Sequence, residues 1–514
     1  MSVLCGIIDA TPAWLQLLEQ EGVPWVLFRP EMLDAGLLSA VIVDRPLLDR
    51  EESVLRSYMA SGGAILGAAR HLESLTGKPW RSQNVRYLTD TRSDGPSWVD
   101  LLDVNIACQI PREANMLKTN DGTSALFAGE WGGGAMVVLP FDVRDIWFQT
   151  AAQYRMFPSP FERLPYERVA AAGRSDLLRL VHCSLEFLHH LRGKPYARLS
   201  PYPAGVSAVV AYRLDTDKAS PRQIDAFRAL SESLRIPFTW FVDTGSHLGW
   251  LERFAEMRGQ EIGIHCRFHR DYAASGGYKA DILEARKLLE RAGTHPAGYA
   301  APYGTWNSAL GEALDELELP FSSEFGIGYD TFPFRPEVPG RQFRTLQVPV
   351  HPVSSGALRR AGYPPARMEQ YYSEVIRRKT MRGDPLFLYD HPLHENLGVG
   401  RAVLEEALRK GASPVTLGGF ARWWLLRCRL LLQLGSPGIT SAAAGQAAAE
   451  AGMCVRVSSL EGEAEVPLGE RFRPESVRLP REYRSAADIG RTREFDLRTA
   501  IGSAVTAAMR WRKL

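Results

Sequence analysis

Three stretches, far apart in the chain, carry side chains that could do chemistry together. They are Asp215 and Asp217 in "AYRLDTD", His265 and His269 in "EIGIHCRFH", and His391 and His394 in "LFLYDHPLH". Two imidazoles and a carboxylate form a facial ligand set with open positions, which suits a divalent ion, zinc foremost, with cobalt or nickel as alternatives. A second carboxylate nearby can take a proton from water, and a histidine opposite can protonate a leaving nitrogen. Each cluster alone is commonplace at the end of a strand. Their joint occurrence at corresponding strand ends singles them out.

The elements that must position them follow from the hydrophobic pattern. From residue 206 onward, strand-like runs ("VSAVVAYRL", "PFTWFVD", "EIGIH", "AGYAAP", "PFSSEF", "RTLQVPV", "PLFLYDH") alternate with helical ones. "SPRQIDAFRALSESLR" begins with Ser220 as an N-cap and Pro221 at the first helical position. Helices are also expected over 246–257, 279–292, 307–317, 365–379 and 400–411. About seven strand-helix units in roughly 220 residues predict a distorted (β/α)7 barrel over 205–432, with chemistry at its strand ends. Residues 1–195 also alternate strands and helices, which predicts a separate α/β layer domain with a parallel sheet and covering helices, and the pattern resembles a flavodoxin-like layer. In "GEWGGGAMVVLPFDV" the glycines lack the Lys-Ser/Thr of a phosphate loop and lead into a strand, so a hairpin turn is expected. Over 437–514 a small C-terminal extension is expected. It opens with a small-residue stretch, forms a β-hairpin in "MCVRVSSLEGEAEVPL" and ends in the basic "MRWRKL".

Composition narrows the function classes. Of 514 residues, 61 are basic and 59 acidic, so no global field draws nucleic acid or an anionic membrane. No run of ~18 apolar residues predicts a membrane span. The six cysteines form no CxxC pair, and the first apolar run stops at Asp9 without a basic segment before it, so a cytoplasmic location is expected.

The barrel region resembles the NodB-homology polysaccharide deacetylases, carbohydrate esterase family 4. "GQEIGIHCRFH" is similar to that family's second motif, "RLDTD" to its first, "AAPYG" to its third with Pro302, Tyr303 and Gly304 in place, and "LYDHP" to its fifth. The "RLDTD" stretch is also similar to related deformylases that act on lipid-linked formamido-arabinose, and "PVTLGGFARWW" resembles the closing helix of such domains. The resemblance implies Asp217, His265 and His269 as metal ligands, Asp215 as general base and His391 as general acid. It also implies an oxyanion held by the metal and a backbone N–H near Tyr303. Asp215 and Asp217 are two apart where the family's aspartates are adjacent; on a strand both would face one side, and an exchange of their roles stays open. The arginine that opens the family's third motif is Ala300 here. Arg213, two residues before Asp215, is either its replacement or an ordinary strand-end residue with its own ion pair. Glu324 either orients the acid histidine or caps a loop, and His394 is expected in a solvated position.

Residues 1–195 resemble the class I glutamine amidotransferases in pattern. The turn that carries their nucleophile has Gly67, Ala68 and Ala69 and no thiol, which implies a non-catalytic domain, with self-association through it as one role. The implied activity is metal-dependent removal of an N-acetyl or N-formyl group from an amino sugar or related amide. The alternative is an inactive descendant that serves as a binding or scaffold module in polysaccharide biosynthesis.

Overall fold

The structure is a computed structural model that describes residues 4–34, 38–77, 80–91, 97–434 and 451–467. The small-residue stretch from 436 to 450 and the basic C-terminal end lie outside them. The chain divides into two compact units of mixed α/β structure. Of the described residues, one unit holds those up to Phe148, Gly173–Gly205 and those from Trp424 on; the other holds Gln149–Ala172 and Val206–Trp423.

The first unit is built on a nine-stranded sheet. Five strands run parallel, in the order Trp25–Leu27, Leu4–Ile7, Leu38–Val43, Ala64–Ala68, Gly134–Leu139. Leu38–Val43 ("LSAVIV") and Ala64–Ala68 are buried along their whole length, which explains their near-continuous apolar composition, interrupted only by Ser39. The other four strands, Ser124–Trp131, Met116–Thr119, Arg81–Thr89 and Leu102–Ile110, continue the sheet antiparallel. This half departs from the expected strand-helix alternation. "RSQNVRYLT" is largely solvent-facing, so it carries little of the apolar signal by which a strand is recognised. The hairpin in "GEWGGGAMVVL" turns on Gly132 and Gly133, both in left-handed conformation, with Trp131 opposite Gly134; positive φ at both central positions is what a tight hairpin of this hand requires. The C-terminal hairpin, Cys454–Ser459 with Gly462–Pro467, is a sheet extension within this unit, because its first strand pairs antiparallel with Tyr196–Leu199. Buried Arg427 ties the same unit together. Its guanidinium donates to the carbonyls of Glu19 (2.7 Å), Ser200 (2.9 Å) and Leu199 (3.0 Å), a fan of acceptors that only a forked donor can satisfy at once.

In the second unit, hydrogen bonds run around a ring of seven strand positions. Ala208–Asp215 pairs parallel with Phe238–Asp243, and that with Glu261–Cys266. Tyr299 bridges Ile264 to Ser322, Phe321–Ser322 pairs with Leu346–Gln347, and the His351 N–H donates to the Phe387 carbonyl at 2.7 Å. Leu386–Asp390 then pairs back onto Ala208–Asp215 and closes the ring. Three of the expected strands shrink to one or two residues, at Tyr299, at Phe321–Ser322 and at Leu346–Gln347. The helix expected over 246–257 is a single turn, Glu252–Ala255. Full helices form at Pro221–Leu234, Ser275–Arg291, Ser308–Glu316, Pro365–Arg382 and Leu397–Arg409. At the first of these, Ser220 and Gln223 make a reciprocal capping box with Pro221 at the first helical position. The hairpin Ala152–Met156 with Tyr166–Ala170 belongs to this unit, although its sequence lies within the span read as the first domain.

Candidate metal centre

The parallel strands Ala208–Asp215, Glu261–Cys266 and Leu386–Asp390 end on the same side of the ring, so residues leaving their C-terminal ends converge. The structure brings Asp217, His265, His269 and His391 together there. Asp217 Oδ1 lies 3.2 Å from His265 Nε2 and 3.5 Å from His269 Nε2, and Asp217 Oδ2 lies 3.7 Å from His391 Nε2.

Three observations test whether a divalent ion fits. Asp217 Oδ1 and His265 Nε2 are both buried and face each other at 3.2 Å, and neither has a hydrogen-bond partner outside the cluster. Two ligand atoms about 2.1 Å from a common tetrahedral centre stand about 3.4 Å apart, which matches the 3.2 and 3.5 Å separations. His265 Nδ1 meets the Ala300 carbonyl at 2.7 Å, which fixes the tautomer and aims the Nε2 lone pair into the cluster. Asp217, His265 and His269 therefore have the chemistry and spacing of a zinc, cobalt or nickel ligand set. Burial depresses the His265 imidazole, but Asp217 and Asp215 outweigh it and raise the pKa to about 9. A proton and a metal cation compete for that one lone pair.

Asp215 and Asp217 do not share a strand face, because the strand ends at Asp215 and Asp217 adopts a left-handed conformation (φ 39°) just beyond it. Asp215 is held from inside the barrel by fully buried Arg213. The guanidinium donates from Nε to Oδ1 at 2.7 Å and from Nη2 to Oδ2 at 2.6 Å, while Nη1 donates to the Ser323 carbonyl and hydroxyl. It lies between the rings of Phe241 and Tyr389, 5.2 and 5.4 Å from their centroids. Burial would raise the Asp215 carboxyl, but the Arg213 charge, with His265 and His391, holds it below the usual carboxylate range. Arg213 thus gives Asp215 a buried, bidentate cation. Arg213→Lys keeps the charge but loses the fork and the bonds to Ser323. The expected cost is about 2 kcal/mol of folding stability, read as a lower urea midpoint, and an unchanged midpoint would deny the fork any such role.

Glu324 meets the backbone of a loop. Its carboxylate accepts from the Ala301 N–H (3.0 Å) and the Ser322 hydroxyl (2.8 Å), its own N–H donates to Gln347 Oε1 (3.2 Å), and burial raises its pKa. It therefore anchors the segment that leads into Pro302 and Tyr303. Pro302 opens a short 3-10 turn in which Tyr303 is left-handed (φ 59°). The Tyr303 ring packs edge-on against His269 at 4.8 Å and its hydroxyl reaches the His269 carbonyl at 3.4 Å. Gly304 is required here, since a Cβ would sit 2.2 Å from the Phe325 ring. His391 Nδ1 is buried without a hydrogen bond, and burial, against the pull of Asp217 and Asp215, keeps this imidazole below its ordinary pKa. His394 is half-buried, less solvated than expected; its ring packs on Gly356 and its Nδ1 lies 3.4 Å from Asp390 Oδ1. Sequence reasoning missed Thr216, Asp243 and His247, which surround the Asp215–Asp217 turn. No spacing rule links them, and only "DTGSHLGW" so close after a strand could have drawn attention.

No family model matches the sequence, and no curated protein matches it. Solved structures are similar to part of it. A protein assigned as a polysaccharide deacetylase from Mycobacterium smegmatis aligns with 18% identity and a TM-score of 0.37, over 44% of this chain and 94% of that one. PuuE allantoinase aligns with 15% identity and a TM-score of 0.37, over 44% and 92%. A family 4 carbohydrate esterase from Streptomyces lividans, in complex with acetate, aligns with 12% identity and a TM-score of 0.30, over 41% and 93%. The chemistry of the site is therefore read from its own side chains.

Proposed function

We propose that the protein is a metal-dependent amide hydrolase that removes an N-acetyl or N-formyl group from an amino sugar or a related amide. The observation that carries this reading is the convergence of buried ligand atoms with no partner outside the cluster, Asp217 Oδ1 and His265 Nε2, beside a carboxylate and a histidine that are not needed as ligands. A bound divalent cation, held by Asp217, His265 and His269, would polarise the amide carbonyl and acidify water. Asp215 takes the proton of the attacking water, its orientation set by Arg213. His391, across Asp217 from the other imidazoles, gives a proton to the departing nitrogen; since burial keeps it neutral at the start, it first receives the proton that Asp215 has taken from the water. The turn at Pro302 and Tyr303 forms the wall beside His269 where the carbonyl oxygen would lie. The amino-sugar substrate is inferred from the likeness of the motif stretches to the deacetylase family.

One observation favours a second reading, in which the barrel binds metal and ligand without hydrolysis. Both Asp215 oxygens are engaged by Arg213 and the residue is 3% exposed, so proton uptake there has to compete with a strong pair. The deciding experiment is an assay of acetate or formate release from N-acetyl and N-formyl amino sugars by the zinc-loaded protein. Release that a chelator abolishes and added zinc or cobalt restores is the expected result. A metal-loaded protein that releases neither acid would put the binding-module reading first.

A further inference from the structure

Thr216 stands between the two aspartates and is fully buried. Within one residue of it the backbone passes from the strand end at Asp215 to the left-handed conformation of Asp217, a region sparsely populated by residues other than glycine. Three bonds pin Thr216 at this point. Its N–H donates to the Phe241 carbonyl at 3.0 Å, its Oγ1 accepts the Asp243 N–H at 2.9 Å, and the same Oγ1 lies 3.0 Å from His247 Nε2. His247 is 1% exposed, with its ring 4.3 Å from Trp250 and 5.8 Å from Phe254. The loop that carries it is fixed in turn, because the Asp243 carboxylate accepts the Ser246 N–H at 3.1 Å and the Ser246 hydroxyl at 2.6 Å.

We propose that Thr216 and His247 are positioning residues that hold Asp217 in its left-handed conformation and so set the affinity of the Asp217, His265 and His269 set for a divalent cation. This rests on the reading of that set as a metal site. The physical reason is that Asp217 Oδ1 faces only the imidazoles of the cluster, His265 at 3.2 Å and His269 at 3.5 Å, which are themselves the other ligands. A hold on Asp217 from outside the cluster comes through its backbone, which is fixed from one residue before by Thr216. Groups that orient metal ligands from behind typically change affinity 10- to 100-fold when removed.

The test is the zinc dissociation constant of the full chain, measured by competition with a chromophoric chelator, for the wild type, Thr216→Val, Thr216→Ser and His247→Phe. Thr216→Val keeps the shape and removes the hydroxyl, and His247→Phe keeps the aromatic packing on Trp250 and Phe254 while removing the nitrogen. Both are expected to weaken zinc binding about 10- to 100-fold, and Thr216→Ser, which restores the hydroxyl, to stay within about twofold of wild type. A purely structural role would lower the melting temperature of these variants and leave the dissociation constant of the folded protein unchanged, which would overturn the proposal. If Thr216→Val does not fold, His247→Phe decides by itself. A wild type that binds no zinc would instead overturn the metal reading on which the proposal stands, so the two failures are distinct.

Discussion

Replacing His265 with alanine gives a protein that retains no zinc and releases no acid from an amide substrate, while the barrel stays folded. His265 is the ligand most completely committed to one role. It is 1% exposed, its Nδ1 is spent on the Ala300 carbonyl, and its Nε2 has no partner outside the cluster and points at Asp217. Alanine removes a nitrogen that no neighbour can replace, because His269 and Asp217 already face the same centre. The loss reads out twice. Metal content by elemental analysis should fall from one equivalent to none. The thermal stabilisation that zinc confers on the wild type, about 4 kcal/mol at a thousandfold excess over the dissociation constant, should vanish. Stoichiometric metal in the variant would remove His265 from the ligand set.

Asp215→Asn is expected to keep zinc at wild-type stoichiometry while the rate of hydrolysis falls about 10²- to 10⁴-fold, the usual contribution of a positioned general base. The asparagine carries no charge to answer Arg213, and a buried guanidinium left without its partner costs about 3–5 kcal/mol. Activity has therefore to be measured where the variant is folded. The double variant Arg213→Met, Asp215→Asn supplies the control: stability should recover much of the loss, because no buried charge remains, while hydrolysis stays low. Loss of zinc from Asp215→Asn, with zinc retained by Asp217→Asn, would exchange the roles of the two aspartates. Full activity in Asp215→Asn would exclude it as the base.

The role of Arg213 shows where the sequence was informative and where it stopped. Its spacing from Asp215 is local, two residues on one strand, so the pairing was legible as one of two readings. The direction of the guanidinium, out to its own partner or in toward the carboxylate, depends on the Ser323 carbonyl, 110 residues away, and on the rings of Phe241 and Tyr389. Asp217 illustrates the opposite failure. Strand alternation puts residues two apart on one face, and the argument broke because the strand ends at Asp215, a property of backbone pairing and not of side-chain type. Glu324 was legible only as two alternatives for a similar reason. A carboxylate at a strand end has many local uses, and its use here is the N–H of Ala301, on a neighbouring position of the ring.

The sequence by itself determined the three clusters of chemistry-bearing residues, the strand-helix alternation of 206–423 and the absence of a thiol after Gly67. Each of these is written in residue type and short spacing, and each persists whatever the chain does at long range. Only the tertiary structure decided the antiparallel half of the first sheet and the pairing of the C-terminal hairpin with Tyr196–Leu199. It alone also decided that Thr216 and His247 stand behind Asp217. Their physical basis is hydrogen bonding between segments tens to hundreds of residues apart. Partners of that kind are chosen by how the backbone groups are satisfied after collapse, and no single stretch of sequence specifies them.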